Sequence, residues 1–174
     1  MSEIIFNGIV VADNWEVLRI NEGQQADTIA VPGCEVIVPL AVWQAQHAAL
    51  SQRRDVGVWL ASSQRADALH ADLLTLPLIA IDFPKFSDGR GYSIAYNLRA
   101  RLAYQGQLRA IGDVLRDQLF YMQRVGFNAF AVRADRDIHD ALKGLTDFSL
   151  SYQAAIDQKA PLYRRVDRTT ALVS

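Results

Sequence analysis

The chain has 174 residues, 51% of them apolar, with a formal net charge of −1 and a pI near 6.3. That length and composition fit one domain with a sizeable buried core and exclude a disordered chain. The near-neutral charge argues against a nucleic-acid partner, and the absence of any run of 18 apolar residues argues against a membrane.

Cys34 is the lone cysteine, so no internal disulfide and no four-thiolate iron–sulfur cage is open to it. The three histidines show no i,i+4 pairing, and no metal site is expected. With no charged leader before an apolar stretch, a cytoplasmic location is expected. The charge is uneven: residues 82–133 carry eight basic and four acidic side chains, while the remainder sums to −5. Fifteen of the 18 basic residues are arginine, the side chain suited to forked contact with carboxylates and oxyanions.

In chain order, Ile4 to Val11 around Asn7-Gly8 reads as a β-hairpin, because Asn-Gly suits a turn with positive φ. Trp15 to Leu18 suggests a further strand, and residues 21–27 a loop. Val36 to Val38 is a short strand, followed by a helix with Leu40, Trp43, His47 and Leu50 on one apolar face, where His47 reads as a core histidine. His70 and His139 read as surface residues on helices. Val56 to Leu60 is the next strand. Ser62 or Ser63 then caps a helix with Ala66, Leu69 and Leu73 inward, stopped before Pro77.

Residues 77–83 form a buried strand. Ile94, Leu98 and Leu102 mark the helix that follows. After the strand Gln107 to Ile111, Asp113 is the expected N-cap of a helix bearing Leu115, Leu119, Met122 and Val125. Phe127 to Val132 is the last strand, and Asp135 or Asp137 caps a helix carrying Ile138, Leu142 and Leu145. The expected organisation is a single α/β domain over 1–174: a β appendage at 1–34, a βα core at 35–150 and a tail at 151–174. About five strands alternating with helices imply a parallel sheet, either open and Rossmann-like or curved into a half-barrel.

Loops at the C-terminal edge of such a sheet are where ligands bind. The loops 82–93, 112–113 and 133–137 should meet there, bringing together Asp82, Lys85, Asp88, Arg90, Asp113, Arg133 and Asp135. Lys85 and Arg90 would clamp a small oxyanion, with Asp88 or Asp113 as base or helix cap. Gly89-Arg90-Gly91 fails as a dinucleotide fingerprint because Ile94 holds the third glycine position. No cofactor is identified. Tyr92, Tyr96 and Tyr104 are expected in the core or at an interface.

The block Phe83-Pro-Lys-Phe-Ser-Asp-Gly-Arg-Gly-Tyr-Ser-Ile-Ala95, with Leu98-Arg99, Gly106-Gln-Leu-Arg-Ala-Ile-Gly-Asp-Val-Leu115, Gln118 and Gly126-Phe127, resembles the bacterial family called domain of unknown function 934. Tyr152-Gln153 and Pro161 to Arg165 resemble its closing elements, and the likeness runs over roughly residues 39–165. The family is labelled a probable oxidoreductase of sulfite reduction because its genes lie beside that of the sulfite reductase haemoprotein. The resemblance therefore implies a role in sulfur assimilation without supplying a mechanism. It points to Asp82, Lys85, Phe86, Asp88, Gly89, Arg90, Gly91, Ser93, Arg99, Arg109, Gly112, Asp113 and Gln118.

With no recognised flavin, nicotinamide or cluster motif, an accessory protein docking to the haemoprotein is expected rather than an autonomous electron carrier. The alternative is an enzyme or sensor holding a sulfur oxyanion or phosphorylated metabolite through Lys85, Asp88, Gly89, Arg90, Gly91, Ser93, Arg109, Gly112 and Asp113. A third expectation is a homodimer formed through the hairpin and exposed aromatics.

Overall fold

The computed structural model describes residues 2–64, 71–149 and 151–165. Strands β1 (Ser2–Phe6) and β2 (Ile9–Asp13) pair antiparallel. Asn7 and Gly8 join them with φ of 49° and 81°, the two positive values that a tight hairpin turn requires. Strands β3 (Glu16–Val17) and β4 (Val36–Pro39) come next, and then the short helices α1 (Leu40–Ala45) and α2 (His47–Leu50). The core continues through β5 (Val56–Ala61), β6 (Leu78–Phe83), α3 (Arg90–Ala100), β7 (Gln107–Gly112), α4 (Arg116–Arg124) and β8 (Ala129–Phe130). Helices α5 (Ile138–Lys143) and α6 (Leu162–Arg165) close the described chain.

Among the described residues the sheet has eight strands rather than five, in the order β2-β1-β8-β7-β6-β5-β4-β3. It is mixed: β3 to β8 run parallel, and β1 is antiparallel to both β8 and β2. The hairpin is therefore part of the main sheet. Ile5 and Phe6 pair with Phe130 and Ala129, which buries Ile5 completely and covers the β8 edge.

Strands β2 and β3 lie at opposite ends of this order, yet only Asn14 and Trp15 separate them. Three Cα-to-Cα steps reach at most about 11 Å. The two edges must consequently approach each other, and the sheet curls into a half-barrel. Side chains alternate across it as the pleat dictates. Ile37, Leu78, Ala80 and Ile111 pack with Trp15, Trp59 and Ala131 on the concave face. Val38, Val58, Ile79, Ile81, Phe83 and Leu108 face the helices on the other side.

Local departures from the sequence reading have physical causes. The first helix breaks at Gln46, whose side chain reaches back to the carbonyls of Ala26 and Ile29 (both 2.9 Å). His47 is not a core residue: its side chain is 45% exposed, edge-on to Trp43 and 3.3 Å from Asp72. Ala71–Thr75 is a 3-10 turn that buries Leu73, while Ala66, Leu69 and His70 lie outside the described residues. Asp113 does not cap α4, which begins at Arg116; Gln118 Oε1 instead accepts the Leu115 N–H at 3.0 Å. Asp137, not Asp135, caps α5 through the amides of His139 and Asp140. The last strand is only two residues long: β1 pairs with it at Ala129 and Phe130 alone, and beyond it the Arg133 N–H donates to the Val114 carbonyl at 3.1 Å. Tyr104 lies past the end of α3, buried, with its hydroxyl donating to the Leu76 carbonyl at 3.0 Å.

Candidate functional site at the C-terminal edge of the sheet

Strands β5, β6 and β7 end at Ala61, Phe83 and Gly112, and the loops beyond them meet as their order in the sheet requires. Two hydrogen-bonded clusters organise this edge, and the loop 82–93 contributes to both.

The first cluster joins that loop to the end of β5. Ser62, only 5% exposed, donates from Oγ to Asp88 Oδ2 at 2.6 Å. Arg90 forks onto the same carboxylate through Nε (2.9 Å) and Nη2 (2.7 Å). The Arg90 guanidinium and then the Ser62 hydroxyl hold the Asp88 carboxyl well below the usual carboxylate range. Asp88 Oδ1 also accepts the Arg90 N–H (3.3 Å) as α3 starts.

Asp113 centres the second cluster. Its Oδ2 accepts the Phe86 N–H at 2.9 Å, its Oδ1 accepts from Arg133 Nη1 at 2.7 Å, and its own N–H donates to the Phe83 carbonyl at 2.7 Å. Arg133 also forks onto Asp135 (2.6 and 2.9 Å), and these two carboxylates, Asp135 first, raise its pKa. Buried Gln118 completes the group: Nε2 donates to the Phe86 carbonyl at 2.7 Å and lies 3.4 Å from the Tyr92 hydroxyl. Phe86 is thus fixed through both its N–H and its C=O, while the residue stays 56% exposed. Tyr121, 55% exposed, stands edge-on to Tyr92 at 5.2 Å from it.

A third pair sits at the mouth of the half-barrel. Arg19 reaches Asp82 with Nη2 at 2.8 Å and Nη1 at 3.2 Å, and its guanidinium lies over the Trp59 ring. The arginines of this edge therefore spend their charge on neighbouring carboxylates. Lys85 is the basic side chain of the 82–93 loop with no ion pair among the described residues.

The other sequence-selected positions separate into those at the edge and those beneath it. Gly89 is open, and Ser93 is exposed on α3. Gly91 and Gly112 serve packing: an added Cβ would lie 2.6 Å from the Phe83 ring at position 91, and 2.4 Å from the Phe83 carbonyl at position 112, where φ is +91°. Arg109 is not at the edge. It is 1% exposed inside the half-barrel, paired with Asp13 at 2.9 Å. Arg99 is remote too, donating to the carbonyls of Gly126 (2.9 Å) and Tyr104 (2.6 Å).

Sequence reasoning missed Arg19, Ser62 and Tyr121 as parts of this edge. Ser62 looked like a helix cap, and nothing local ties residue 19 to residue 82. No helix of the described residues is long and apolar enough to cross a membrane.

A family model described as a bacterial protein of unknown function (DUF934) matches residues 57–163, a span that includes both clusters. No curated protein and no solved structure matches the chain.

Proposed function

Since the chain belongs to the family of bacterial proteins of unknown function DUF934, we propose that it is an accessory protein of assimilatory sulfite reduction that docks to the sulfite reductase haemoprotein through the 82–93 loop. The pathway comes from the gene neighbourhood that the resemblance carries. Support for docking comes from Phe86, a 56%-exposed aromatic whose backbone is held at both ends by Asp113 and Gln118. An aromatic side chain displayed on a fixed backbone loses little freedom when it enters a partner's pocket, the property of an interface anchor. Lys85 beside it, with no ion pair among the described residues, offers a positive charge for steering.

The competing reading, an oxyanion clamped by Lys85 and Arg90, would have to share the Arg90 guanidinium with Asp88, onto which its Nε and Nη2 are forked. The tagged chain and the haemoprotein of the same organism are to be co-purified at low and at physiological salt. A complex that survives both and weakens about tenfold or more in Phe86→Ala is the expected result. Absence of a complex with the wild-type chain at either salt overturns the reading.

A further inference from the structure

The opposite end of the sheet carries a cavity unrelated to the site above. About 730 Å³ in volume, it opens between the C-terminal end of α3, the start of the last parallel strand and the tail, and Tyr96, Arg99, Asn128, Ile156 and Lys159 are on its wall. That volume suits a small organic ligand.

Its charge sets it apart. Arg19, Arg53, Arg90, Arg109, Arg116 and Arg133 each face an aspartate. Half-buried Arg99 does not: among the described residues its Nε and Nη1 bind two carbonyl oxygens, its guanidinium lies over the Tyr104 ring, and Nη2 makes no hydrogen bond. Burial pulls its pKa down, with no carboxylate to offset the cost. Lys159, exposed on the tail, likewise has no ion pair among the described residues, and no acidic residue is on the cavity wall.

The polar neighbours add donors. Asn128 accepts the Leu108 N–H through Oδ1 (2.7 Å), which leaves its Nδ2 as a free donor among the described residues. The carbonyls that close α3, those of Asn97 and Leu98, are already taken by Arg101, Leu102 and Tyr104 amides. Tyr96, Tyr104, Ala100, Ala155 and Ile156 supply the apolar part of the wall.

We propose that this cavity binds an organic anion bearing a tetrahedral oxyanion ester, with Arg99 and Lys159 on the oxyanion and the tyrosine and alanine surface against the organic body. The guanidinium of Arg99 is held in place before the ligand arrives, and a fixed donor array binds an oxyanion at low entropic cost. This site is independent of the docking loop, so each stands or falls alone.

The test is thermal stabilisation of the full chain, in buffer of physiological salt, by phenyl phosphate, phenyl sulfate and uncharged phenol. A shift with either ester and none with phenol is expected, and the ester that acts identifies the headgroup. Lys159→Glu, on an exposed side chain, should leave the unliganded melting temperature unchanged and weaken the ester at least tenfold. Silence with both esters, or an undiminished response in Lys159→Glu, overturns the proposal.

Discussion

Arg109 of β7 donates from Nη1 to the Asp13 carboxylate at the end of β2, 2.9 Å away and 96 residues distant in sequence. Gln107, with its amide oxygen turned to the guanidinium, accepts from Nε and Nη2 at 3.0 and 2.9 Å. The two charged side chains are 2% and 9% exposed, so the pair is desolvated and tolerates no loss of one partner. It ties the strand that precedes the Asn14-Trp15 link to the middle of the sheet and holds the curl. Arg109→Met should cost about 3 kcal/mol or more by leaving Asp13 buried and unpaired. Asp13→Ala in the same background should recover part of that loss. Urea denaturation of the two single variants and the double variant measures both, and an Arg109→Met cost under about 1 kcal/mol would refute the role.

The glycines around Phe83 and the 82–93 loop make a graded test of packing against ligand binding. Gly112→Ala combines a φ of +91° with a Cβ 2.4 Å from the Phe83 carbonyl, and backbone cannot yield as a side-chain tip does. Gly91→Ala pushes against the Phe83 ring at 2.6 Å, and Gly89→Ala meets only Tyr92 at 3.9 Å. Stability losses should rank in that order: about 2–4 kcal/mol, about 1–3 kcal/mol, and close to none. Equal losses at all three positions in denaturant melts would contradict it.

The contrast between these glycines shows where the sequence stops being legible. Alternating apolar strands and amphipathic helices announce the five βα units, because each periodicity is local. The β3–β4 and β1–β8 pairings are not local: Glu16 pairs with Val36 across a long loop, and Ile5 pairs with Phe130 from the far end of the chain. The meeting of three loops at one edge follows from the parallel topology alone. Which carboxylate neutralises which arginine does not. Asp88 was as plausible a partner for Lys85 as for Arg90 until the loop placed its oxygens 2.9 and 2.7 Å from the guanidinium. Gly91 and Gly112 look like ligand glycines in a loop, since the Phe83 atoms they avoid belong to the sheet beneath α3 for Gly91 and to the paired neighbouring strand for Gly112.

Acid should act on the Ser62–Asp88–Arg90 cluster with a defined sign. Asp88 has its pKa lowered from the ordinary 3.8, chiefly by Arg90 and next by Ser62. A carboxyl depressed in the folded state contributes stability that is complete above its unfolded value and disappears as pH falls through the folded one. The melting-temperature gap between wild type and Arg90→Gln should therefore be level from neutral pH down to about 5 and shrink below about 4. The Arg90 side chain is 64% exposed, so the gap should also narrow in high salt. A gap that widens as pH drops below 4 would rule out this account.

Gln118 couples the packing of the edge to its display of Phe86. The side chain gives one donor to the Phe86 carbonyl (2.7 Å) and one acceptor to the Leu115 N–H (3.0 Å). Gln118→Leu removes both and should cost about 1–3 kcal/mol, the penalty of two polar groups left without partners. Gln118→Glu keeps the acceptor at Leu115 but sets a carboxylate against the Phe86 carbonyl, which repels the loop. Its melting temperature should fall at least as far as that of Gln118→Leu, because a buried carboxylate facing a carbonyl costs more than an apolar side chain, and capture of the haemoprotein should fall as far as in Phe86→Ala. Side-by-side melts and pull-downs of the three variants decide the point. Undiminished capture by Gln118→Glu would mean that the fixed backbone of Phe86 does not matter for docking.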